Sequence, residues 1–441
     1  MKLKMFVCGP TVYDYIHLGN ARTLVFFDVA AKWLRHQGAD LEYIQNITDI
    51  EDKILVRAKE QGREPQEFAR EWEQKFYEDA KALGITSPIY KRATDHIPEV
   101  LSQVKRLIEK GCVYEIGNDG FYFDLSKFPD YGKLSGRTDI KDDDAVSRID
   151  ENEHKRNKGD FCVWKGDFET GRPGWHIEDT AITEKYFGPQ YDIHGGGIDL
   201  MFPHHEAEIA IMRSISGKER FVDYWMHTGF LVNKGARMGK SVGNFTTVHE
   251  ALKHHSPEAI RHYFLSSHYR SPLEYGENAI APSEAAVTRL GEFYNKLRYI
   301  KTSHYNASFV GMRYDLDKTQ NEFINAMDGD FNTSRAIATL FDFVSNISSL
   351  IARGEVETTS AIPILNFLEQ INNVLGIIPI SHDEITSEIA RLLEAREHAK
   401  NSGNFMDSDI IRNTLSDLEW DVEDTKYGQI PKKKKHLPSL M

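Results

Sequence analysis

Lys4-Met5-Phe6-Val7-Cys8-Gly9-Pro10 begins as a short apolar strand and stops at a Gly-Pro pair. From Ala21 to His36 the apolar residues Leu24, Val25, Phe27, Ala31 and Leu34 recur at helical spacing. Leu41 to Ile47, with Leu41, Tyr43, Ile44 and Ile47, reads as a second strand. Strand, helix and strand at this spacing make a βαβ unit. Such a unit implies a parallel sheet with a ligand crevice at the carboxyl ends of its strands. Tyr191 to His194 reads as a further buried strand that ends in Gly195-Gly196-Gly197.

The rest of the chain sets bounds. Its 441 residues allow two to four domains. A net charge of −13 excludes a globally basic nucleic-acid coat or a polycationic membrane binder, although local basic faces remain compatible with it. Cys8, Cys112 and Cys162 are far apart and odd in number, which fits a reducing compartment better than a disulfide scaffold. The best apolar run, Leu24 to Leu34, is broken by Asp28 and Lys32, so no membrane span is expected. The N-terminus has too little apolar length for a secretory signal. A cytoplasmic protein is the expectation.

Residues 50 to 110 read as charged amphipathic helices. Cys112–Ile116 and Phe121–Asp124 alternate around Gly117-Asn118-Asp119-Gly120, a hairpin signal. Residues 125 to 160 look like a solvated insertion. From about 282 onward nearly everything is expected to be helical: Asp315–Met327, Asn332–Ile351, Ala361–Leu375, Thr386–Ser402 and Phe405–Leu418. Lys432 to Lys435 reads as a basic tail. The picture is an α/β half followed by a helical half.

Five segments carry chemistry. His17-Leu18-Gly19-Asn20 opens the first helix, whose free N–H groups suit a triphosphate; His17 can donate to a phosphoryl oxygen, and Gly19 lets a flat base approach. Gly235 to Ser241 is a small loop in which Arg237 and Lys240 can close on a polyphosphate and neutralise a departing pyrophosphate. Pro203-His204-His205-Glu206-Ala207-Glu208 is expected to open a helix with Pro203 in its first turn. His204 and Glu208 then share a face at i and i+4, and Cys8 arrives from the first strand; His, Cys and carboxylate together suit zinc. Gly174-Trp175-His176-Ile177-Glu178-Asp179 sets an aromatic ring beside an imidazole and two carboxylates. Asn46 to Lys53 ends a strand and opens a helix, with Thr or Asp as its cap. Taken singly, each has a plainer reading: a helix cap, a solvated basic turn, an exposed helix pair, or for Cys8 a buried small hydrophobe.

Taken in order these segments closely resemble cysteinyl-tRNA synthetase. The resemblance runs from about residue 4 to about residue 426 and includes Ala395-Arg396, Asn404-Phe405, Ser408-Asp409, Ile411-Arg412 and Val422-Glu423-Asp424-Thr425. It implies a class I synthetase with a Rossmann-type α/β catalytic domain at 1–245, interrupted by an insertion at about 88–170. A stem-contact region at 246–305 and a helical anticodon-binding part at 306–441, ending in a short subdomain, would follow. It further implies that L-cysteine is activated by ATP, with Mg2+, to cysteinyl-adenylate and passed to the 3′ adenosine of tRNA(Cys) by a monomer with no membrane partner.

The same resemblance assigns residues. His17, Gly19, Asn20, Arg237, Lys240 and Ser241 would hold ATP. Gly9, Thr48, Trp175, His176 and Asp199 would line the cysteine pocket. Zn2+ would be held by Cys8, His204, Glu208 and Asp179, the last standing where the family has a second Cys. Zinc in the family binds the substrate thiolate, which excludes serine, on the order of 10⁴-fold by analogy with other synthetases. Exchanging a thiolate for Asp179 keeps a negative ligand but hardens the site. Asn20 replaces the second signature His, Arg237 and Gly239 replace Lys and Ser of the loop, and Trp420 stands where a small residue is expected.

Basic clusters at Arg261, His262 and Arg270, at Lys296, Arg298 and Lys301, and at Lys432 to Lys435 are candidate phosphate contacts, with a steep salt dependence to match. Two other readings compete: a ligase joining cysteine to a small amine, and an idle RNA-binding paralogue. The helical C-terminal pattern argues against the first, and the presence of His17, Lys240 and Asp199 against the second.

Overall fold

The computed structural model describes residues 2–138, 152–239, 243–276, 278–302, 312–380 and 385–434. Lys240, Ser241 and Lys435 lie outside these. Two compact units divide the chain: Met1–Glu250 with Tyr269–Gly276, and Ala251–His268 with Glu277–Met441.

In the first unit the expected βαβ opening is present as β1 (Leu3–Val7), α1 (Leu18–His36) and β2 (Leu41–Ile47). The helix begins three residues earlier than its apolar spacing indicates. His17 caps it, its Nδ1 accepting the Asn20 N–H at 3.2 Å. Next come α2 (Asp52–Glu60), α3 (Pro65–Ala82), β3 (Ile89–Arg92), α4 (Ile97–Glu109), β4 (Val113–Ile116), β5 (Gly120–Phe123), β6 (Phe161–Lys165) and β7 (Arg172–Pro173). The unit continues with α5 (Ile177–Phe187), β8 (Tyr191–Gly197), α6 (Glu206–Ser216), β9 (Val222–Thr228), β10 (Leu231–Asn233), β11 (Ala236–Arg237), α7 (Val248–His254), which runs past the division, and β12 (Leu273–Tyr275).

The central sheet has the order β3-β2-β1-β8-β9, and every pair in it is parallel. Met5, Phe6 and Val7 of β1 are fully buried, as a strand covered on both faces requires. The side on which successive strands are added reverses between β1 and β8, and a crevice opens at such a switch point. Arg22 of α1 is buried and braces the far wall: its guanidinium donates to the carbonyls of Gly229, Phe230 and Ser271 at 2.8, 3.0 and 2.6 Å.

β4 to β7 form a separate antiparallel sheet in sequence order. Among the described residues of 125 to 160, several are less solvated than the polarity of the segment suggests. Leu125, Phe128 and Tyr131 join a core with Val104 of α4, Val163 and Trp164 of β6, Ile177 of α5 and Ala207 and Ile211 of α6. Buried Asp160 accepts from the Leu125 N–H at 2.9 Å and the Tyr114 hydroxyl at 2.7 Å, so this polar residue serves the fold.

The second unit contains α8 (Pro257–Leu265), α9 (Ala281–Thr302), α10 (Met312–Asp328), α11 (Thr333–Arg353), α12 (Thr358–Leu375), α13 (Ser387–Asn401) and α14 (Phe405–Asp417). It is not helical to its end. Trp420–Thr425 (β13) and Gly428–Lys433 (β14) pair as an antiparallel hairpin. Trp420 packs with Ile389, Leu415 and Val422, so the large residue fills a small core of its own. Lys432 pairs with Glu292, and the Lys434 ammonium donates to the Ser416 carbonyl at 3.0 Å; this part of the basic run belongs to the fold. Arg261 and His262 do not form a basic face either. Both are buried in α8, with Arg261 Nε donating to the Leu375 carbonyl at 2.8 Å. By length and composition α11 could cross a membrane. Its buried residues Ala336, Leu340, Val344, Ile347 and Ile351 make one stripe, with Arg335, Asp342 and Asn346 exposed opposite, the pattern of a bundle helix.

Candidate active site

Cys8 sits at the switch point, immediately beyond β1, with its N–H on the Gly195 carbonyl at 3.0 Å. Gly9 follows, its N–H donated to Asn46 Oδ1 at 2.5 Å. A Cβ on Gly9 would lie 1.8 Å from the Asn46 carbonyl oxygen, so only glycine fits between the two strand ends.

Asp179 lies in the first turn of α5 and Glu208 in the first turn of α6. His204 precedes α6 rather than belonging to it. The turn Met201–His205 contains an extended residue, Phe202, and the regular helix starts at Glu206, so Pro203 is not in its first turn as the sequence suggested. The convergence still holds. His204 Nε2 is 3.1 Å from Asp179 Oδ2 and 3.1 Å from Glu208 Oε1. One ligand atom from each of Cys8, Asp179, His204 and Glu208 lies within 4.8 Å of all the others.

This cluster is electrostatically unbalanced. Asp179, His204 and Glu208 are buried. Asp179 Oδ1 has no hydrogen-bond partner, and the Glu208 oxygens meet only imidazole nitrogens, His204 Nε2 at 3.1 Å and His194 Nε2 at 3.4 Å. Burial pushes the Glu208 carboxyl up to about 8. Burial works against charge on His204, but Glu208 and Asp179 outweigh it and raise the imidazole to about 10. Burial, then Asp179 and Glu208, raise the Cys8 thiol well above its ordinary value. Orphaned buried carboxylate oxygens are costly, and a cation between them removes that cost. One sulfur, one imidazole nitrogen and two carboxylates fit a divalent metal of the zinc type.

A layer of aromatic rings supports the cluster. His176 Nδ1 meets His204 Nδ1 at 2.8 Å, and Trp175 stacks on the His204 ring at 4.5 Å between centroids. His176 therefore stands behind His204 instead of on the pocket wall, where Trp175 and Asp179 stand. Asp49 and Thr48 cap no helix. The cap of α2 is Glu51, without a side-chain bond; Thr48 donates to Glu178 Oε2 at 3.1 Å, and Asp49 accepts from the Thr94 N–H at 3.0 Å. Burial first, then Asp179, raises the Glu178 carboxyl well above its usual range.

Sequence reading missed the histidines on the other side of Cys8. His205 Nε2 and His194 Nε2 lie 3.2 and 3.4 Å from Cys8 Sγ. His205 Nδ1 is 2.8 Å from His227 Nε2, and the Tyr191 hydroxyl is 2.5 Å from His194 Nδ1. The available signal was the alternation along β8, which turns His194 to the same face as Gly196, whose added Cβ would meet His205, and the doubled His204-His205.

A cavity of about 760 Å³ joins these elements. Cys8, Gly9, Thr48, Trp175, Asp179 and His204 line one part; His17, Gly19 and Asn20 at the start of α1 line the next, together with Asp199, Leu231, Arg237 and Met238. Burial raises the Asp199 carboxyl, and Arg237 works against that rise. Asn244 ties the two sides of the loop that carries Arg237: its Oδ1 accepts from the Gly239 N–H at 3.1 Å and its Nδ2 donates to the Arg237 carbonyl at 3.1 Å. Thirteen of the fifteen residues assigned from sequence fall among the described ones, and all but His176 and Glu208 line this cavity.

Residues 1–285 match the family model for tRNA synthetases class I (C) catalytic domain, and residues 322–379 match the DALR domain. Curated relatives run the length of the chain. The cysteine–tRNA ligase of Thermococcus onnurineus is 40% identical, over 98% of this chain and 95% of that one. That of Thermoplasma acidophilum is 40% identical over 96% and 94%. That of Carboxydothermus hydrogenoformans is 38% identical over 97% and 94%. Among solved structures, Mycobacterium tuberculosis methionyl-tRNA synthetase in complex with methionyl-adenylate superimposes with a TM-score of 0.67 at 16% identity, covering 89% of this chain and 94% of that one. The leucyl enzyme of Agrobacterium radiobacter K84 gives 0.65 at 10% identity over 85% and 84%. These last two are likenesses of fold.

Proposed function

The chain belongs to the cysteine–tRNA ligases, class I aminoacyl-tRNA synthetases, and on that premise we propose how its crevice selects and activates cysteine. Cys8, Asp179, His204 and Glu208 hold one zinc ion. When bound, that ion supplies a Lewis-acidic site that takes the substrate's sulfur as thiolate and takes a serine hydroxyl far less well. The observation that carries this is the convergence of four ligand atoms within 4.8 Å, with the partnerless Asp179 Oδ1 on one of the carboxylates.

The protein's own residues do the rest. Trp175, Thr48 and Gly9 enclose the amino acid, and Asp199 offers a carboxylate to its ammonium. ATP lies along the start of α1, with His17 and the N–H groups near Asn20 facing phosphate. The cysteine carboxylate attacks the α-phosphorus, and the bond to pyrophosphate breaks. Arg237, with Lys240 and Ser241 of the same loop, takes up the negative charge that develops on the departing oxygens. Mg2+ travels with the nucleotide. The ribose hydroxyl of the tRNA's 3′ adenosine then attacks the adenylate carbonyl and AMP leaves.

In this reading residues 1–245 form the catalytic domain with its insertion at about 88–170. Residues 246–305 contact the tRNA stem and 306–441 the anticodon arm. The protein works as a cytoplasmic monomer. Cysteine-dependent exchange of pyrophosphate into ATP, measured beside metal content per chain, tests the proposal. Exchange with about one zinc per chain is expected, and exchange by fully metal-free protein at the same rate overturns the ion's role.

A further inference from the structure

The cavity has a wall that activation leaves unused. Thr48 closes the cysteine part at the end of β2, and four residues later α2 begins. Its first two turns contribute Asp52, Lys53, Val56 and Arg57 to the same cavity, opposite Tyr13 and Asp14 of the loop before α1. Resting on the ligase reading above, we infer that this wall is the berth of the tRNA's terminal adenosine during transfer, with Tyr13 and Val56 under the base and Lys53 and Arg57 on the phosphate that precedes it.

Four features carry the inference. Val56 is 55% exposed, an aliphatic side chain presented to the cavity rather than to a core. The Lys53 ammonium lies 5.8 Å from the centroid of the Tyr13 ring, so a flat aromatic face and a cation stand together. The acidic groups nearby are partly answered within the protein: Asp52 pairs with Arg172 and Glu51 Oε1 is 3.4 Å from Lys53 Nζ, while Asp14 also faces the cavity. The ion pair of Arg57 to Glu60 at 3.9 Å is exposed and weak, which leaves its guanidinium able to turn to a ligand. An aromatic face, an apolar edge and two long cations are what a single unpaired nucleotide needs, since stacking holds the base and Lys or Arg holds the phosphate.

Position agrees with chemistry. The wall adjoins the cysteine part at Thr48, so a ribose placed on it brings its hydroxyl toward the adenylate carbonyl. There the hydroxyl oxygen forms the ester bond, the bond from carbonyl carbon to phosphate oxygen breaks, and AMP departs with the electron pair and the hydroxyl proton.

Val56→Glu and the double substitution Lys53→Ala with Arg57→Ala test this, because all three side chains are at the surface of a short helix. Aminoacylation of a tRNA(Cys) transcript should fall about 10-fold or more in kcat/KM, roughly one stacked base or phosphate contact, with cysteine-dependent pyrophosphate exchange retained. Removing the terminal adenosine from the transcript should weaken its binding to the parent chain and have little further effect on the variants. Unchanged aminoacylation, a fall matched by an equal fall in exchange, or equal weakening by the truncated transcript in parent and variants overturns the berth. Absence of exchange in the parent chain would instead overturn the ligase reading.

Discussion

Nδ1 of His176 lies 2.8 Å from Nδ1 of His204, which leaves the second nitrogen of His204 facing Asp179 and Glu208 at 3.1 Å from each. One imidazole thus aims another. Outer partners of this kind commonly affect metal affinity about 10- to 100-fold. His176→Ala is expected to lower zinc affinity by that order in a chelator competition, with the KM for ATP unchanged. Equal retention of zinc by parent and variant would remove the positioning role from His176.

Asp179 is the position at which this chain departs from the two-thiolate pattern. Asp179→Ala should lose zinc and cysteine activation together, because only Cys8, His204 and Glu208 then remain to hold the ion. Asp179→Cys should keep zinc and hold or improve the preference for cysteine over serine, a thiolate being the softer donor. The check is metal content with exchange rates for both amino acids. If Asp179→Ala changes neither, Asp179 is no ligand.

Asn244 closes the loop that carries Arg237 through two hydrogen bonds, each worth about 1 kcal/mol. Asn244→Ala should slow pyrophosphate exchange about 10-fold through kcat, with little effect on the KM for cysteine and a fall of no more than about a few degrees in the unfolding temperature. A change confined to the cysteine KM would place Asn244 elsewhere in the mechanism.

Asp79 of α3 is 4% exposed, and its Oδ2 lacks a partner. Burial, with Glu78 adding to it, raises its carboxyl to about 6. The unfolded group titrates near 3.8, so the folded state is penalised as pH rises from there to about 6, and the penalty is constant above. Asp79→Asn removes the charge while keeping the shape. It should raise stability by roughly 2–3 kcal/mol at pH 7 and by little at pH 4. Thermal unfolding of parent and variant at the two pH values decides; a gain that is the same at both would mean that the charge is not the cause.

Much of the catalytic half could be read from sequence because its signals are local. Periodicity located β1, α1 and β2 to within a few residues, and the N-terminal extension of α1 depended on one cap, His17, which no apolar pattern reveals. The hairpin at Trp420–Lys433 was hidden because its second strand ends in consecutive lysines, which look like a solvated tail until their partners Glu292 and Ser416 are known. Cys8, His204 and Glu208 were legible as residue types suited to a metal. His194 and His205 reach Cys8 across 186 and 197 positions of chain, a separation over which spacing carries no information. Thr48 and Asp49 were misread as caps for the same reason, since Glu178 and Thr94 lie far along the chain.

The buried guanidinium of Arg22 fastens α1 to the carbonyls of Gly229, Phe230 and Ser271. On the proposed reading, the helix that would face phosphate and the strand ends at 229–231 beside it are therefore tied into one piece by a single side chain, so Arg22→Ala would loosen both at once.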